Sequence, residues 1–121
     1  MNSQLAFRIS AALGFLAVAL GAFGAHGLED VLTRNDRIDT WNTAVLYQFV
    51  HVSIMCVLAA RETLFRGPWI SFLTGIVVFS GSLYVLALTN IKWLGAITPL
   101  GGVAFLIGWG WLAIRGVNGR Q

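Results

Sequence analysis

Three polar side chains lie within five residues of one another in an apolar part of the sequence: Tyr47, Gln48 and His51. If this part is a helix, residues three and four apart lie on one face, and the three side chains share an arc of about 100°. Polar groups in apolar surroundings are costly unless they find partners or line a wet cavity. The group is therefore a candidate site for a proton, an ion or a small polar ligand.

Polar residues in two later segments extend this group. Ser80 and Tyr84 are four residues apart and share one helical face, and a count of about 1.5 Å per residue brings Ser80 and His51 to similar depth, where they could meet. Thr98 is followed by a Pro-Leu-Gly-Gly sequence that we expect to bend or break its helix and to free backbone carbonyls. The resulting predicted polar seam comprises Tyr47, Gln48, His51, Ser80, Tyr84 and Thr98.

The predicted polar seam has two interpretations. It is either a site that binds or conducts a polar species, or a network of interhelical hydrogen bonds that fixes packing. The second interpretation is favoured, because such bonds are widespread in membrane helices and average less than about 1 kcal/mol each.

A second set of chemistry-bearing residues consists of His26, Glu29 and Asp30. The spacing of His26 and Asp30 would place two metal-ligand types on one helical face, but a metal site needs three or more donors of defined geometry. We therefore expect these residues to lie at the outer membrane interface without a metal.

The sequence contains no common catalytic motif, so we expect no enzyme, no catalytic residue and no cofactor. An interfacial enzyme that uses His26 and the acidic loop is the least favoured alternative.

Four uncharged apolar segments must position these side chains. The chain has 121 residues, of which 57% are hydrophobic and 11% are charged, against about 25% charged residues in soluble domains. Each segment has a length suited to a membrane-crossing helix, and none alternates in polarity as barrel strands do. The sequence predicts an all-α integral membrane bundle of four transmembrane helices in a single domain over residues 1–121. The predicted spans 1 to 4 cover about 9–25, 43–60, 68–89 and 94–114.

The basic residues predict the orientation of the chain. With four spans, both termini share one side with the loop after span 2, and this side holds Arg8, Arg61, Arg66, Arg115 and Arg120. The opposite side holds Arg34, Arg37 and Lys92. This excess predicts that both termini are cytoplasmic. We expect the bilayer and not nucleic acid as the partner, because the basic residues flank apolar segments and form no exposed stripe.

The span ends carry further predictions. Apolar residues in the loop between spans 1 and 2 predict a short helix along the interface, and Asp39 or Thr40 is positioned to cap span 2. Tryptophan rings settle at the headgroup level of membranes. Those at the starts of spans 2, 3 and 4 are Trp41, Trp69 and Trp93, and those at the other end of span 4 are Trp109 and Trp111.

Small residues form a smooth face on span 1 and recur on span 4. The members are Gly14, Ala17, Gly21, Gly24 and Ala25 in span 1, and Ala104 and Gly108 in span 4. Such faces allow two helices to approach closely. The partner helix belongs either to this chain or to another, and we expect a homo-oligomer or a membrane-protein partner.

Four ordered motifs carry a family resemblance. They are Gly21-Ala-Phe-Gly-Ala-His-Gly-Leu28, Trp41-x-Thr-Ala-Val-x-Tyr-Gln-x-x-His51, Phe79-Ser-Gly-Ser-Leu-Tyr84, and Ile97-Thr-Pro-x-Gly-Gly102 with Gly108-Trp109. Together they resemble the small membrane family called domain of unknown function 423, also described as transmembrane protein 256-like. The resemblance implies a bacterial inner-membrane protein with mitochondrial relatives and supplies no activity. It also implies that the family pattern includes His26, Tyr47, Gln48, His51, Ser80, Ser82, Tyr84 and Pro99.

Two functions remain open at this level. The favoured one is a non-catalytic structural, envelope-maintaining or accessory subunit. The alternative is an oligomeric transporter or channel that passes protons or a small polar solute along a seam around His51 and Ser80. The expected location is the bacterial inner membrane, and a mitochondrial membrane is less favoured.

Overall fold

Four long helical segments dominate the fold. The computed structural model describes residues 1–117; it is 84% helical, and these residues contain no strand. The segments long and apolar enough to cross a membrane are span 1 (Ser3–Ala25), span 2 (Ile38–Ala59), span 3 (Arg66–Thr89) and span 4 (Lys92–Arg115). The predicted all-α bundle of four membrane-spanning helices is confirmed. Arg120, one of the residues used to predict orientation, lies outside the described residues.

Spans 3 and 4 are not uniform α-helices. Span 3 contains a π-helical turn at Ile76–Ser80 between two α-helical parts. Span 4 begins with a 3₁₀ turn at Lys92–Ala96, and its α-helix covers Thr98–Arg115. The predicted break in span 4 is confirmed, but it lies just before Pro99. The proline occupies the first turn of the α-helix, where its missing N–H leaves no intrahelical bond unmade.

The four spans pack in chain order around a central pair. Span 1 packs on span 2, span 2 on span 3, and span 3 on span 4, whereas spans 1 and 4 share no packing interface within residues 1–117. In the most apolar window of each span, 39% of the residues are buried in spans 2 and 3 and 17% in spans 1 and 4. The outer spans therefore leave broad apolar faces exposed.

The loop between spans 1 and 2 closes one end of the bundle, which we call the loop-helix end. The opposite end, where span 1 begins and span 4 ends, is the termini end. The loop contains a short helix, the loop helix (Glu29–Arg34), and this confirms the short helix predicted there. Leu32 is buried in a cluster with Trp41 of span 2 and Ala87 of span 3. The Asn35 amide donates to the carbonyl of Ala87 at 2.9 Å. The loop helix is thus docked on the bundle.

Span 2 begins without the predicted cap. Its helix starts at Ile38, so Asp39 and Thr40 lie inside the first turn, and no side chain caps the N-terminus. The prediction was wrong because the helix extends further toward the loop than the uncharged window. Arg37 instead donates from Nε to Oδ1 of Asn90 at 3.1 Å, which ties the start of span 2 to the end of span 3.

Two of the tryptophans predicted at the headgroup level lie inside the bundle. Trp41 donates from its indole N–H to the carbonyl of Leu20 at 2.8 Å, and Trp69 donates to Oγ of Ser10 at 3.0 Å. Both rings are buried. The interfacial prediction was wrong for these two, because each indole N–H finds its acceptor on span 1. Trp93, by contrast, is 65% exposed.

The small-residue face of span 1 meets a helix of the same chain. Cβ atoms added at Gly14 and Gly21 would approach Val52 and Val45 of span 2 at 3.3 and 3.4 Å. A Cβ atom at Gly24 would overlap the indole ring of Trp41. Ala17 is buried in this face, whereas Ala25 is exposed. In span 4, Gly108 faces Phe72 of span 3, and Ala104 is half-buried.

Candidate functional site

Gln48 lies near the middle of span 2 and joins three spans. Its Nε2 donates to the carbonyl of Leu13 in span 1 at 2.8 Å. Its Oε1 accepts from the hydroxyl of Tyr84 in span 3 at 2.6 Å. The amide is buried, and both of its ends are used. The structure therefore brings together two predicted seam residues, Gln48 and Tyr84.

Ser80 also faces span 2, but it does not meet His51. Its hydroxyl is buried and donates to the carbonyl of Ala44 at 2.8 Å. The expectation that Ser80 and His51 could meet was wrong, since both ring nitrogens of His51 have other partners. Similar depth did not bring the two residues together, because span 3 presents Ser80 to a part of span 2 nearer the loop-helix end.

His51 is buried between spans 2, 3 and 4. Its Nε2 accepts from the indole N–H of Trp109 at 2.9 Å, and its Nδ1 lies 2.7 Å from the carbonyl oxygen of Tyr47. Its ring stacks on Phe105, with 3.7 Å between centroids and 11° between planes. An indole nitrogen can only donate, so Nε2 must be unprotonated. Nδ1 then carries the proton and donates to Tyr47, which makes His51 the neutral Nδ1–H tautomer.

Ser82 and Thr98 form a separate pair between spans 3 and 4. Their hydroxyl oxygens lie 2.6 Å apart, and Ser82 also lies 2.9 Å from the carbonyl of Phe79. The other predicted seam residues contact Thr98 through no side-chain hydrogen bond within residues 1–117. The predicted polar seam thus resolves into four separate clusters centred on Gln48, Ser80, His51 and Thr98.

Sequence reasoning missed several members of these clusters. Ser82 was identified only through the family resemblance, and Trp109 was assigned to the membrane interface. Ser10 of span 1, which accepts from Trp69, was not singled out. The only indication of its role in the sequence was that it is a single hydroxyl residue within a predicted span. The partner of His51 had no signal in the sequence, because the relative rotation of spans 2 and 4 sets it.

Tyr47 differs from the other seam residues. Its ring packs on Phe79 at a centroid distance of 4.6 Å, and its side chain is 40% exposed. Its hydroxyl makes no hydrogen bond within residues 1–117. It lines a groove of ≈ 420 Å³ between spans 2, 3 and 4. The seam residue with an available polar atom is therefore the one at the surface of the bundle.

The second predicted set lies at the loop-helix end. His26 follows the last residue of span 1, and Glu29 and Asp30 form the first turn of the loop helix. All three residues are exposed. No group of three or more potential metal ligands occurs within the described part of the chain.

The chain resembles bacterial membrane proteins over most of its length. The UPF0382 membrane protein YwdK of Bacillus subtilis is 46% identical over 110 residues, which cover 85% of this chain and 88% of that relative. A UPF0382 membrane protein of Staphylococcus epidermidis is 49% identical over 98 residues (78% and 80%). One of Haemophilus influenzae is 45% identical over 101 residues (79% and 80%). No solved structure matches the chain significantly.

The sequence profile of the family described as "Protein of unknown function (DUF423)" matches residues 20–102. This range contains all four hydrogen-bonded clusters except Trp109, the partner of His51, and Leu13, whose carbonyl accepts from Gln48. The profile matches more than half of the chain, and the relatives share 45–49% of the aligned residues, so the chain belongs to the DUF423 family.

Proposed function

We propose that this protein is a non-catalytic structural or accessory subunit of the bacterial inner membrane that assembles with further membrane helices. One observation carries the proposal: every buried side-chain polar atom within residues 1–117 has a hydrogen-bond partner in the chain. The bonds of Gln48, Ser80, His51 and Thr98 each connect two or more spans. Groups committed in this way hold helices together and are not available to a substrate.

Span 4 supports the assembly part of the proposal. Cβ atoms at Gly101 and Gly108 would overlap or crowd span 3, which accounts for the glycines at these positions. A Cβ atom at Gly110 would meet nothing within 4 Å, and Gly110 is exposed. One turn later, Ile114 is 84% exposed. A glycine on an exposed helical face permits close approach of another helix, either from a second copy or from a partner subunit.

Photo-crosslinking in native membranes tests this assembly. A photoreactive residue at Ile114 should yield adducts with another protein chain, and Gly110→Leu should suppress them by blocking the close approach. The same residue placed at Val57, exposed on the central span 2, serves as the control and should react with lipid. Lipid adducts alone from Ile114 would contradict the assembly.

The orientation is also part of the proposal. Four arginines of the described chain lie at the termini end, namely Arg8, Arg61, Arg66 and Arg115. Three basic residues lie at the loop-helix end, namely Arg34, Arg37 and Lys92. The excess supports cytoplasmic termini. A C-terminal reporter that is active only outside the cytoplasm should stay silent, and activity of that reporter would show the opposite orientation.

Transport along the seam is the second candidate, and the position of His51 beside the groove favours it. Against it, the four clusters are not joined by side-chain hydrogen bonds within residues 1–117. Proton flux into liposomes tests this candidate. We expect wild-type and His51→Ala vesicles to leak equally, at the level of empty vesicles. Flux that the wild type supports and His51→Ala abolishes would replace the accessory role with transport.

A further inference from the structure

The groove beside Tyr47 opens sideways from the bundle. Its volume is ≈ 420 Å³, within the range of small-molecule sites. Aromatic rings form much of its wall, namely Tyr47, His51, Phe79, Phe105 and Trp109. Leu106 is also part of the lining and is 71% exposed, so the groove reaches the surface that faces the lipid. An occupant can therefore enter from the bilayer.

Tyr47 lines this groove, and its hydroxyl has no hydrogen-bond partner within residues 1–117. Tyr47 lies nine residues after the start of span 2 at Ile38, which places its Cα atom about 14 Å along the helix axis. In the apolar part of a membrane, lipid tails offer no acceptor, so an unpaired hydroxyl costs free energy. No acceptor is supplied by residues 1–117. A hydrogen-bond acceptor for the Tyr47 hydroxyl must therefore come from a molecule outside the chain.

The need for a hydrogen-bond acceptor and the aromatic wall of the groove together indicate the class of molecule that binds there. A lipid acyl chain would fill the groove but leave the Tyr47 hydroxyl unpaired, and the ester and phosphate groups of a phospholipid reside nearer the interface. A flat ring that bears a carbonyl satisfies both features, since it accepts from the hydroxyl and packs against the aromatic rings. A molecule of this class that is dissolved in the bilayer is a quinone.

We propose that the groove binds the ring of a membrane quinone. One ring carbonyl accepts from the Tyr47 hydroxyl, the ring lies against Phe105 and Trp109, and the apolar tail leaves past Leu106 into the lipid. Gly102 borders the site, and a Cβ atom there would meet nothing within 4 Å. The absent side chain at this position is therefore space that the ligand can use.

Quinone titration of the full chain in nanodiscs tests the site. Decylbenzoquinone quenches tryptophan fluorescence on contact, so binding near Trp109 should give a saturable loss of emission. Tyr47→Phe keeps the ring and removes the donor, and it should raise the Kd about tenfold, the effect of one hydrogen bond. Gly102→Leu should abolish saturable binding, because the added side chain fills the groove.

Two matched variants control for indirect effects. Ala22→Leu enlarges an exposed side chain of span 1, which does not line the groove, and Ser53→Ala removes an exposed hydroxyl from span 2. Both should keep the wild-type Kd. Absence of saturable quenching in the wild type would overturn the proposal, as would equal Kd values for the wild type and Gly102→Leu. Tryptophan quenching reports on the quinone site and crosslinks from Ile114 report on assembly, so failure of the site and failure of the accessory role give different results.

Discussion

The indole N–H of Trp109 donates to Nε2 of His51 across 2.9 Å. This is the one side-chain hydrogen bond that joins span 4 to span 2 within residues 1–117. It forms at a point where Phe105 also stacks on the His51 ring. Span 4 is therefore fixed against span 2 through aromatic side chains, although the two helices share no backbone packing interface.

Removal of the Trp109 donor should destabilise the bundle. Trp109→Phe leaves Nε2 of His51 buried without a partner, so we expect the free energy of unfolding to fall by about 1–3 kcal/mol. Trp111→Phe is the control, because that ring packs edge-on against Phe65 at 6.1 Å and does not contact His51. Steric trapping in bicelles measures both variants, and equal losses would show that the Trp109 bond contributes nothing specific.

The hydrogen bonds of His51 also predict its tautomer. Nitrogen NMR of the protein labelled at histidine should show one ring nitrogen protonated and the other bare, with the proton on Nδ1. In Trp109→Phe the bare Nε2 loses its donor, so its resonance should shift. A proton found on Nε2 in the wild type would contradict the geometry, because Trp109 cannot accept a hydrogen bond.

Gln48 and Tyr84 should be energetically coupled. Gln48→Leu and Tyr84→Phe each remove one side of the 2.6 Å bond between spans 2 and 3. In a double-mutant cycle we expect a coupling energy of about 0.6–1.7 kcal/mol, from the average to the maximum measured for hydrogen bonds within a membrane bundle. The pair Gln48→Leu and Ser53→Ala serves as the reference cycle, and its effects should add. Additive effects of Gln48→Leu and Tyr84→Phe would show that this bond does not stabilise the bundle.

Two adjacent glycines in span 4 should respond differently to the same substitution. A Cβ atom at Gly101 would overlap the backbone of Phe79, whereas one at Gly102 would meet nothing within 4 Å. We expect Gly101→Ala to destabilise the bundle by about 1–3 kcal/mol through overpacking. Gly102→Ala should be neutral or stabilising by up to about 1 kcal/mol, because alanine is the better helix former. Thermal unfolding in a mild detergent compares them, and similar midpoints would contradict the close approach of spans 3 and 4.

Helical periodicity predicted part of the site from the sequence. The spacing of Ser80 and Tyr84 placed both on one face of span 3, and both do meet span 2. The lengths of the uncharged segments likewise identified the four spans, because the hydrocarbon core sets a minimum helix length. These features depend on one helix and its solvent, and the order of residues within that helix determines them.

The contacts between helices could not be predicted in the same way. The hydrogen bond between His51 and Trp109 depends on how span 4 is rotated and how closely it approaches span 3. That approach depends on Gly101, which lies against the backbone of Phe79. Phe79 is part of a π-helical turn that no sequence pattern predicted. Trp41 was misplaced for a related reason. An indole near a span end suits the headgroup region equally well, and its acceptor, the carbonyl of Leu20, lies on another helix.

Native mass spectrometry of the full chain in nanodiscs tests the central claim most directly. The accessory role predicts that the protein leaves the membrane in a defined assembly, either a closed homo-oligomer or a complex of fixed stoichiometry with another membrane subunit, and that Gly110→Leu disrupts it. A wild-type protein that appears as a monomer in a native-like bilayer, with no companion chain, would contradict the account.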